Sequence, residues 1–193
     1  MNPQQTPESV TEQVFDLYRQ FGNADYIGEP VSQIEHMVQA AALALKEGYD
    51  DEVVLGAFLH DIGHLCVQGG EARSMDGFGV ADHETLGAEY LRQKGFSARV
   101  RVLVAGHVEA KRYLTYKDPE YYNRLSPASR ETLKHQGGVM TPEEAEHFEN
   151  SGDAELMIRM RHWDDLAKET NLELRILPDL QRMMVDHLRR EQQ

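Results

Sequence analysis

The sequence predicts an all-α protein in which its 193 residues form a single helical domain. Apolar residues recur three and four positions apart along most of the chain, as they do on the buried face of an amphipathic helix. Capping residues precede these segments and glycines follow them. No segment shows the alternation of apolar and polar residues that is typical of a strand. Helices that each bury one apolar face pack together, so we expect a bundle around one core.

The first two helices have clear sequence boundaries. Residues 8–21 carry one apolar stripe, with Thr6-Pro7 ahead as cap and first-turn proline and Gly22 behind. The second helix begins at a capping box formed by Ser32 and Glu35 and ends at Gly48. His36 therefore lies in the first turn of the second helix.

A third helix begins near Asp50 and is expected to continue through His60 and Asp61 to His64. The glycine-rich residues 69–79 then predict a mobile loop, and a tyrosine-rich stretch before Ser126 is expected to be irregular. The remaining helices are predicted over residues 82–93, from Ser97 to Lys111 or beyond, from Ser126-Pro127 to Gly137, from Thr141-Pro142 onward, over 154–168, and after Pro178.

Composition excludes several classes of function. The formal net charge of −13 disfavours binding to nucleic acid or to an anionic membrane surface. Cys66 is the only cysteine, which excludes an internal disulfide and favours a reducing, cytoplasmic setting. The N-terminal residues resemble no secretion signal, and no apolar segment is long enough to span a bilayer.

Histidines and aspartates recur through the predicted helices in an order that suits two metal ions. Imidazole and carboxylate groups bind zinc, iron and manganese, and the two oxygens of one carboxylate can bridge two cations. Asp61 is the natural bridge, while Asp164 stands where its helix would otherwise carry an apolar residue. The candidate ligands are His36, His60, Asp61, His83, His107 and Asp164. His135, His147, His162 and His187 lie in polar surroundings and are expected at the surface.

This order resembles the HD-domain superfamily of helical metal-dependent enzymes, and His83 with His107 resembles its two-metal branch. The resemblance implies one metal bound by His36, His60, Asp61 and Asp164, and a second bound by Asp61, His83 and His107. It implies an HD-domain helical bundle. It does not separate phosphohydrolases from oxygenases that use the same ligands.

Two cations indicate an anion site beside the metals. Lys111 lies four residues after His107, and Arg161 lies three residues before Asp164, so each cation shares a helix face with a candidate ligand. In a chain of charge −13 this pair favours a phosphate or phosphonate ligand.

Longer segments resemble the HD-domain mixed-valent diiron oxygenases of organophosphonate catabolism, over about residues 25–190. The resemblance implies two iron ions, Fe(II)/Fe(III), with O2 as co-substrate, in cleavage of a carbon–phosphorus bond that yields glycine or glycine betaine plus phosphate. It also implies a separate hydroxylase that supplies the hydroxyphosphonate substrate. The segments that carry it are residues 25–29, 33–36, 59–64, 106–114, 126–130, 136–138 and 161–164.

The same resemblance implies roles for individual residues. Lys111, Ser129 and Arg161, with Gln136, are expected to bind the phosphonate. His64 is expected near the substrate hydroxyl, and Tyr26 and Glu29 are expected to form a mobile lid over the amine end.

The amine end separates two candidate substrates. A primary ammonium, as in 2-amino-1-hydroxyethylphosphonate, needs acceptors such as Glu29 or Asp82, whereas the quaternary ammonium of 1-hydroxy-2-(trimethylammonio)ethylphosphonate needs aromatic faces or a more distant carboxylate. The trimethylammonio compound is slightly favoured. Candidate groups for its recognition are Tyr26, Phe78, Tyr113 and Tyr116, with Asp76 and Asp82.

Two other classes of function stay open from the residues alone. A phosphohydrolase acting on a nucleotide or phosphoester would use a metal-bound hydroxide and need no oxygen. A regulatory or scaffold module would use the ligands for structure only, which leaves Lys111 and Arg161 without a role.

Overall fold

The computed structural model describes residues 5–26, 28–66, 75, 77, 79–170 and 174–193, and within them the protein is all-α. Asp25 and Ser32 form an isolated antiparallel β-bridge. The helices are α1 Pro7–Phe21, α2 Gln33–Lys46, α3 Asp51–Leu59, α4 Gly63–Cys66, α5 His83–Gln93, α6 Ala98–Lys117, α7 Pro119–Arg124, α8 Pro127–His135, α9 Pro142–Glu149, α10 Ala154–Leu166 and α11 Leu177–Glu191.

Side-chain caps explain where many of these helices begin. The hydroxyl of Ser32 accepts the backbone N–H of Glu35, and the Glu35 carboxylate accepts the backbone N–H of Ser32 at 2.8 Å. Thr141 and Glu144 form the same capping box at α9. Each box satisfies two backbone donors that the first turn of a helix leaves without partners.

The helices that carry the site pack around one core. α2 packs against α3 and α10, while α6 packs against α3, α5 and α10. Phe58, Leu59 and Trp163 are fully buried where these helices meet. The candidate ligands therefore lie on helices whose positions are set by the core.

The predicted third helix is interrupted at the metal-ligand motif, which corrects the sequence-based expectation. α3 ends at Leu59, residues 60–62 form a turn, and α4 begins at Gly63. The N–H groups of Ile62 and His64 donate to carbonyls three residues earlier, at 3.0 Å each, which tightens the backbone relative to an α-helix. His60 and His64 are thus not neighbours on one regular helix face.

Two further expectations about the helices need correction. The tyrosine-rich stretch is not irregular, because α6 continues to Lys117 and α7 follows at once. α10 ends at Leu166, two residues earlier than expected. Most of the predicted loop over residues 69–79 lies outside the described residues.

His187 is not a surface residue. It is 1 % exposed, stacks on Phe96 with ring centroids 5.5 Å apart, and accepts the backbone N–H of Ser97 through Nε2 at 3.2 Å. That bond leaves its proton on Nδ1, which lies 3.9 Å from a Glu52 carboxylate oxygen. The polar residues around it in sequence point outward while the imidazole packs inward.

Among the described residues, no helix is both long enough and apolar enough to cross a bilayer.

Candidate metal centre and adjoining cavity

Five segments bring the six candidate ligands to one place. α2 supplies His36, the turn after α3 supplies His60 and Asp61, and α5, α6 and α10 supply His83, His107 and Asp164 in that order. All six side chains are buried, with at most 4 % of any residue exposed. Burying so many polar groups is costly unless each has a partner, so the cluster requires an explanation.

The ligand atoms fall into two groups that share Asp61. In one group, His36 Nε2 lies 3.1 Å from His60 Nε2 and 3.3 Å from Asp164 Oδ1. Asp61 Oδ2 joins that group at 3.3 Å from His60 Nε2. In the other, His83 Nε2 and His107 Nε2 are 3.0 Å apart and lie 3.2 and 3.3 Å from Asp61 Oδ1. Asp61 thus presents one oxygen to each group.

Backbone carbonyls orient all four imidazoles. The Nδ1 atoms of His36, His60, His83 and His107 lie 2.8–3.1 Å from the carbonyl oxygens of Ala167, Ala57, Val80 and Val104. A carbonyl only accepts, so each Nδ1 carries the proton and each Nε2 presents a lone pair. This second layer of hydrogen bonds is typical of metal-bound histidines.

The facing Nε2 atoms fit bound cations. Two acceptor nitrogens 3.0–3.1 Å apart repel each other unless a cation or a proton lies between them. Ligand nitrogens about 2.1 Å from one shared ion have about this separation when they occupy adjacent coordination positions. The donor set, imidazole with carboxylate, suits iron, zinc or manganese.

The pKa values of groups in the cluster also indicate that it binds positive charge. Burial opposes charge on His60, yet the neighbouring Asp61 carboxylate raises the pKa of this imidazole to about 9. Burial likewise opposes charge on Asp61 and Asp164, but the adjacent His60 and Arg161 hold the pKa of each carboxyl well below its usual range. Without a metal the cluster takes up a proton, and a metal ion would replace it.

A cavity opens directly onto these ligands. Its empty space amounts to about 530 Å³, a figure that includes open solvent at the mouth. Asp61, His83, His107 and Asp164 form one part of its wall, while His36 and His60 lie behind. The seven residues to which the family resemblance gives a role beside the metals also line it, namely Tyr26, Glu29, His64, Lys111, Ser129, Gln136 and Arg161.

Lys111 is the most isolated cation in the wall. It is 3 % exposed, and its Nζ donates to Thr132 Oγ1 at 2.9 Å. Burial, helped by the nearby Arg161 charge, lowers the pKa of Lys111 to about 7. A bound anion would restore the charged form.

Arg161 is bound by carboxylates on its own helix. Its Nη1 pairs with Asp164, its Nη2 pairs with Asp165, and its Nε donates to the Tyr121 hydroxyl at 2.9 Å. The other oxygen of Asp164 faces His36. Arg161 therefore contacts both the cavity and a candidate metal ligand.

Two aromatic rings rest on the ligand imidazoles from the cavity side. Tyr26 stacks on His36 with ring centroids 3.9 Å apart, and His64 stacks on His83 at 4.0 Å. The backbone N–H of Val80 donates to His64 Nδ1 at 3.2 Å, so the His64 proton is on Nε2. Burial, with the neighbouring His83, holds the pKa of His64 well below its usual range, which keeps this ring neutral.

The site also contains polar groups that sequence reasoning missed. One is Gln33, which lines the cavity and, like the expected Gln136, has a buried amide oxygen without a hydrogen-bond partner among the described residues. Thr132, which holds Lys111, lies three residues after Ser129 on the same face of α8, so helical spacing could have found it. Asp165, which pairs with Arg161, lies four residues after it on α10, so the same kind of spacing could have found this contact.

The tyrosines proposed for the amine end are mostly elsewhere. Tyr113 packs on Phe148 and donates to Glu149, and Tyr116 is 37 % exposed; neither lines the cavity. Asp82 is also exposed and outside the cavity wall. Phe78 and Asp76 lie outside the described residues. Among the described residues proposed for the amine end, Tyr26 and Glu29 line the cavity.

Comparison with known proteins agrees with this geometry. Residues 34–177 match the HD domain family. The chain is 39 % identical over 184 residues to the [1-hydroxy-2-(trimethylamino)ethyl]phosphonate dioxygenase (glycine-betaine-forming) of Leisingera caerulea, covering 93 % of each chain. It is 38 % identical over 178 residues to the hydroxymethylphosphonate dioxygenase of Gimesia maris, covering 91 % of this chain and 85 % of that one. An uncharacterized protein of Acanthamoeba polyphaga mimivirus is 39 % identical over 175 residues, covering 91 % of this chain and 80 % of the other.

These matches confirm the resemblance stated from the sequence and the expectation of an oxidoreductase of the dioxygenase class. The all-α architecture and the HD family agree as well. The chain belongs to the HD-domain family, and two of its relatives are named as phosphonate dioxygenases.

Proposed function

We propose that this protein cleaves the carbon–phosphorus bond of a small 1-hydroxyphosphonate with O2, at two iron ions, to give a carboxylic acid and phosphate. The observation that carries the proposal is the cavity itself. Its wall combines a shared-carboxylate ligand set with the buried cations Lys111 and Arg161. The relatives from Leisingera caerulea and Gimesia maris, both named as phosphonate dioxygenases, support the reaction class.

The two groups of ligand atoms support a site for two metal ions. His36, His60, Asp61 and Asp164 would hold one ion, and Asp61, His83 and His107 the other. Iron in this set supplies the redox chemistry needed to use O2, which the side chains themselves cannot provide.

The opposite wall would bind the phosphonate. Lys111 contributes a desolvated charge, while Ser129 and Gln136 contribute polar groups from α8 and its end. Arg161 would stabilise the same anion while it stays paired with Asp164. Charge-assisted hydrogen bonds of this kind fix the orientation of a tetrahedral anion.

His64 would orient the substrate hydroxyl. Because Nδ1 is occupied by the Val80 N–H and the ring is neutral, Nε2 acts as a hydrogen-bond donor rather than as a general base. Tyr26 and Glu29 would cover the tail of the substrate and limit the access of water.

The overall reaction balances with one O2. R–CH(OH)–PO3²⁻ and O2 give R–COO⁻, HPO4²⁻ and H⁺, where R is the tail. The C1–P and C1–H bonds break, C1 is oxidised to a carboxylate, and O2 is reduced. The tail can be trimethylammoniomethyl or aminomethyl, as expected from the sequence, or hydrogen, as in the substrate named for the Gimesia maris relative.

The C1 hydroxyl implies a preceding step. A separate hydroxylase acting on the unhydroxylated phosphonate would supply the substrate. A cytoplasmic setting, favoured by the single cysteine, fits such a sequence of reactions.

An aerobic assay tests the proposal. The iron-loaded protein is incubated with each hydroxyphosphonate, and phosphate release and O2 uptake are followed together. We expect equal amounts of both, and neither without O2. Phosphate release from a phosphoester under anaerobic conditions, with no O2 uptake on any phosphonate, would instead identify a phosphohydrolase.

A further inference from the structure

An ion pair joins Glu29, in the cavity wall, to Lys168. The ammonium of Lys168 lies 2.7 Å from a Glu29 carboxylate oxygen and 3.4 Å from the hydroxyl of Ser126. Glu29 lines the cavity, whereas Lys168 is not one of the residues that line it. The side chains are 9 % and 19 % exposed, so water screens this pair only partly.

The backbone presents Lys168 to Glu29 in a fixed position. Ala167 leaves α10 with φ −76° and ψ 51°, and the N–H of Lys168 donates to Leu166 O at 2.8 Å, which is an inverse γ-turn. On one side, Ala167 O accepts from His36 Nδ1. On the other, the backbone of Glu169 exchanges two hydrogen bonds of 2.9 Å with the side chain of Gln39. Both neighbours of Lys168 are therefore tied to α2.

The pairing with Lys168 neutralises the negative charge of Glu29, which a cationic substrate tail would need. The carboxylates in the described part of the cavity wall are Glu29, Asp61 and Asp164. Asp61 and Asp164 belong to the candidate metal ligands, and Lys168 neutralises Glu29. An ammonium near Glu29 would meet the attraction of one charge and the repulsion of the other.

Aromatic groups do not compensate in the described wall. Tyr26 stacks on His36, so one face of its ring is covered. Quaternary ammonium groups are held by several aromatic faces at once. Tyr113 and Tyr116 do not line the cavity.

We infer that Lys168 is a specificity-determining residue, which matches the cavity to a 1-hydroxyphosphonate with an uncharged tail by cancelling the charge of Glu29. This inference rests on the proposed function. The basis of selection is electrostatic, because the lysine repels a cation at the position where the carboxylate would attract it.

Two substrates of similar shape separate the effect of the tail's charge from the effect of its size. 2-Amino-1-hydroxyethylphosphonate and 1-hydroxypropylphosphonate differ in that an ammonium replaces a methyl group. The measurement is the ratio of their kcat/KM values, cationic over uncharged, from phosphate release by the iron-loaded protein. We expect a ratio below one for the wild type.

Variants of the pair should move this ratio in opposite directions. Lys168→Met should raise it at least about tenfold, since it exposes the charge of Glu29 to the tail. Glu29→Gln should lower it, and the double variant should return it close to the wild-type value. Lys168→Arg should preserve it. Lys117→Met, which breaks a lysine–glutamate pair at the surface, is the matched control and should leave it unchanged.

The possible results distinguish a failure of this inference from a failure of the proposed function. A wild-type preference for the cationic substrate, or an unchanged ratio in Lys168→Met, would overturn the inference while leaving the proposed function intact. Absence of phosphate release from every hydroxyphosphonate would overturn both. Thermal melts check folding, and Lys168→Gln replaces Lys168→Met if the latter does not fold.

Discussion

The chemistry of this site begins with the two oxygens of Asp61, which face different pairs of histidines. The imidazoles are oriented in turn by backbone carbonyls, and Asp164 is oriented by Arg161. The charge of Lys111 likewise depends on its contacts, because burial and the nearby Arg161 lower its pKa. At this scale the identity of a residue sets its possible role, and its immediate contacts decide its protonation.

The pH dependence of binding tests Lys111. Since the pKa of Lys111 in the free protein is about 7, its ammonium is lost as the pH rises through that value. We expect kcat/KM for a hydroxyphosphonate to fall above about pH 7 in the wild type. Lys111→Met should give a lower profile without this fall. The phosphonate's own titration is common to both proteins, so parallel profiles would show that Lys111 does not titrate as expected.

Arg161 should contribute to metal affinity as well as to substrate binding. In Arg161→Ala, Asp164 loses the guanidinium that orients it, and loss of such a second-layer partner typically weakens metal binding about 10- to 100-fold. Competition with a chelator measures this change, alongside KM for the substrate. A raised KM with unchanged metal affinity would show that Arg161 acts on the anion alone.

At the scale of elements, the short break between α3 and α4 decides where the carboxylate of Asp61 points. The turn at residues 60–62 separates His60 from His64 and lets α4 pack against the start of α5. The N-cap Asp82, at φ 59°, then directs the chain into α5 at His83. Aspartate is one of the few non-glycine residues that adopt this left-handed conformation readily.

Gly63 allows the close approach of α4 to α5. A Cβ at this position would lie 1.9 Å from the carbonyl oxygen of His83. We expect Gly63→Ala to cost about 1–3 kcal/mol of unfolding free energy and to weaken metal binding by His83 and His107. Chemical denaturation and metal titration measure the two effects.

Gly152→Ala is the matched control, because a Cβ there meets no heavy atom within 4 Å. Normal stability and metal binding in Gly63→Ala would contradict the packing argument.

At the scale of the whole molecule, the ligand cluster joins segments that are far apart in sequence. α2, α5, α6, α10 and the turn after α3 all contribute a ligand atom. Without metal, the buried Nε2 atoms face one another across 3.0–3.1 Å. Metal binding should therefore stabilise the packing of the bundle as well as supply chemistry.

Removal of metal should lower the melting temperature. A ligand at 100 times its Kd stabilises the folded state by about 2.7 kcal/mol per site. Scanning calorimetry of the iron-loaded and chelator-treated protein measures the difference. Asp61→Ala, which removes the shared carboxylate, should melt at the same temperature with and without chelator. A wild-type melting temperature that does not respond to chelator would contradict a cluster built for metal.

The sequence by itself determined the helices with strong caps and the residue types of the site. Ser32 with Glu35 marked the start of α2, and the spacing of Lys111 from His107 placed a cation beside a ligand. These features were predictable because capping and helical periodicity involve residues only a few positions apart.

Only the tertiary structure decided the break before α4, the burial of His187 and the contact of Lys168 with Glu29. Glu29 and Lys168 are separated by 139 positions, and no local pattern relates them. Such contacts depend on how several helices pack and on which side chains that packing excludes from water, so they become defined only when the chain has folded.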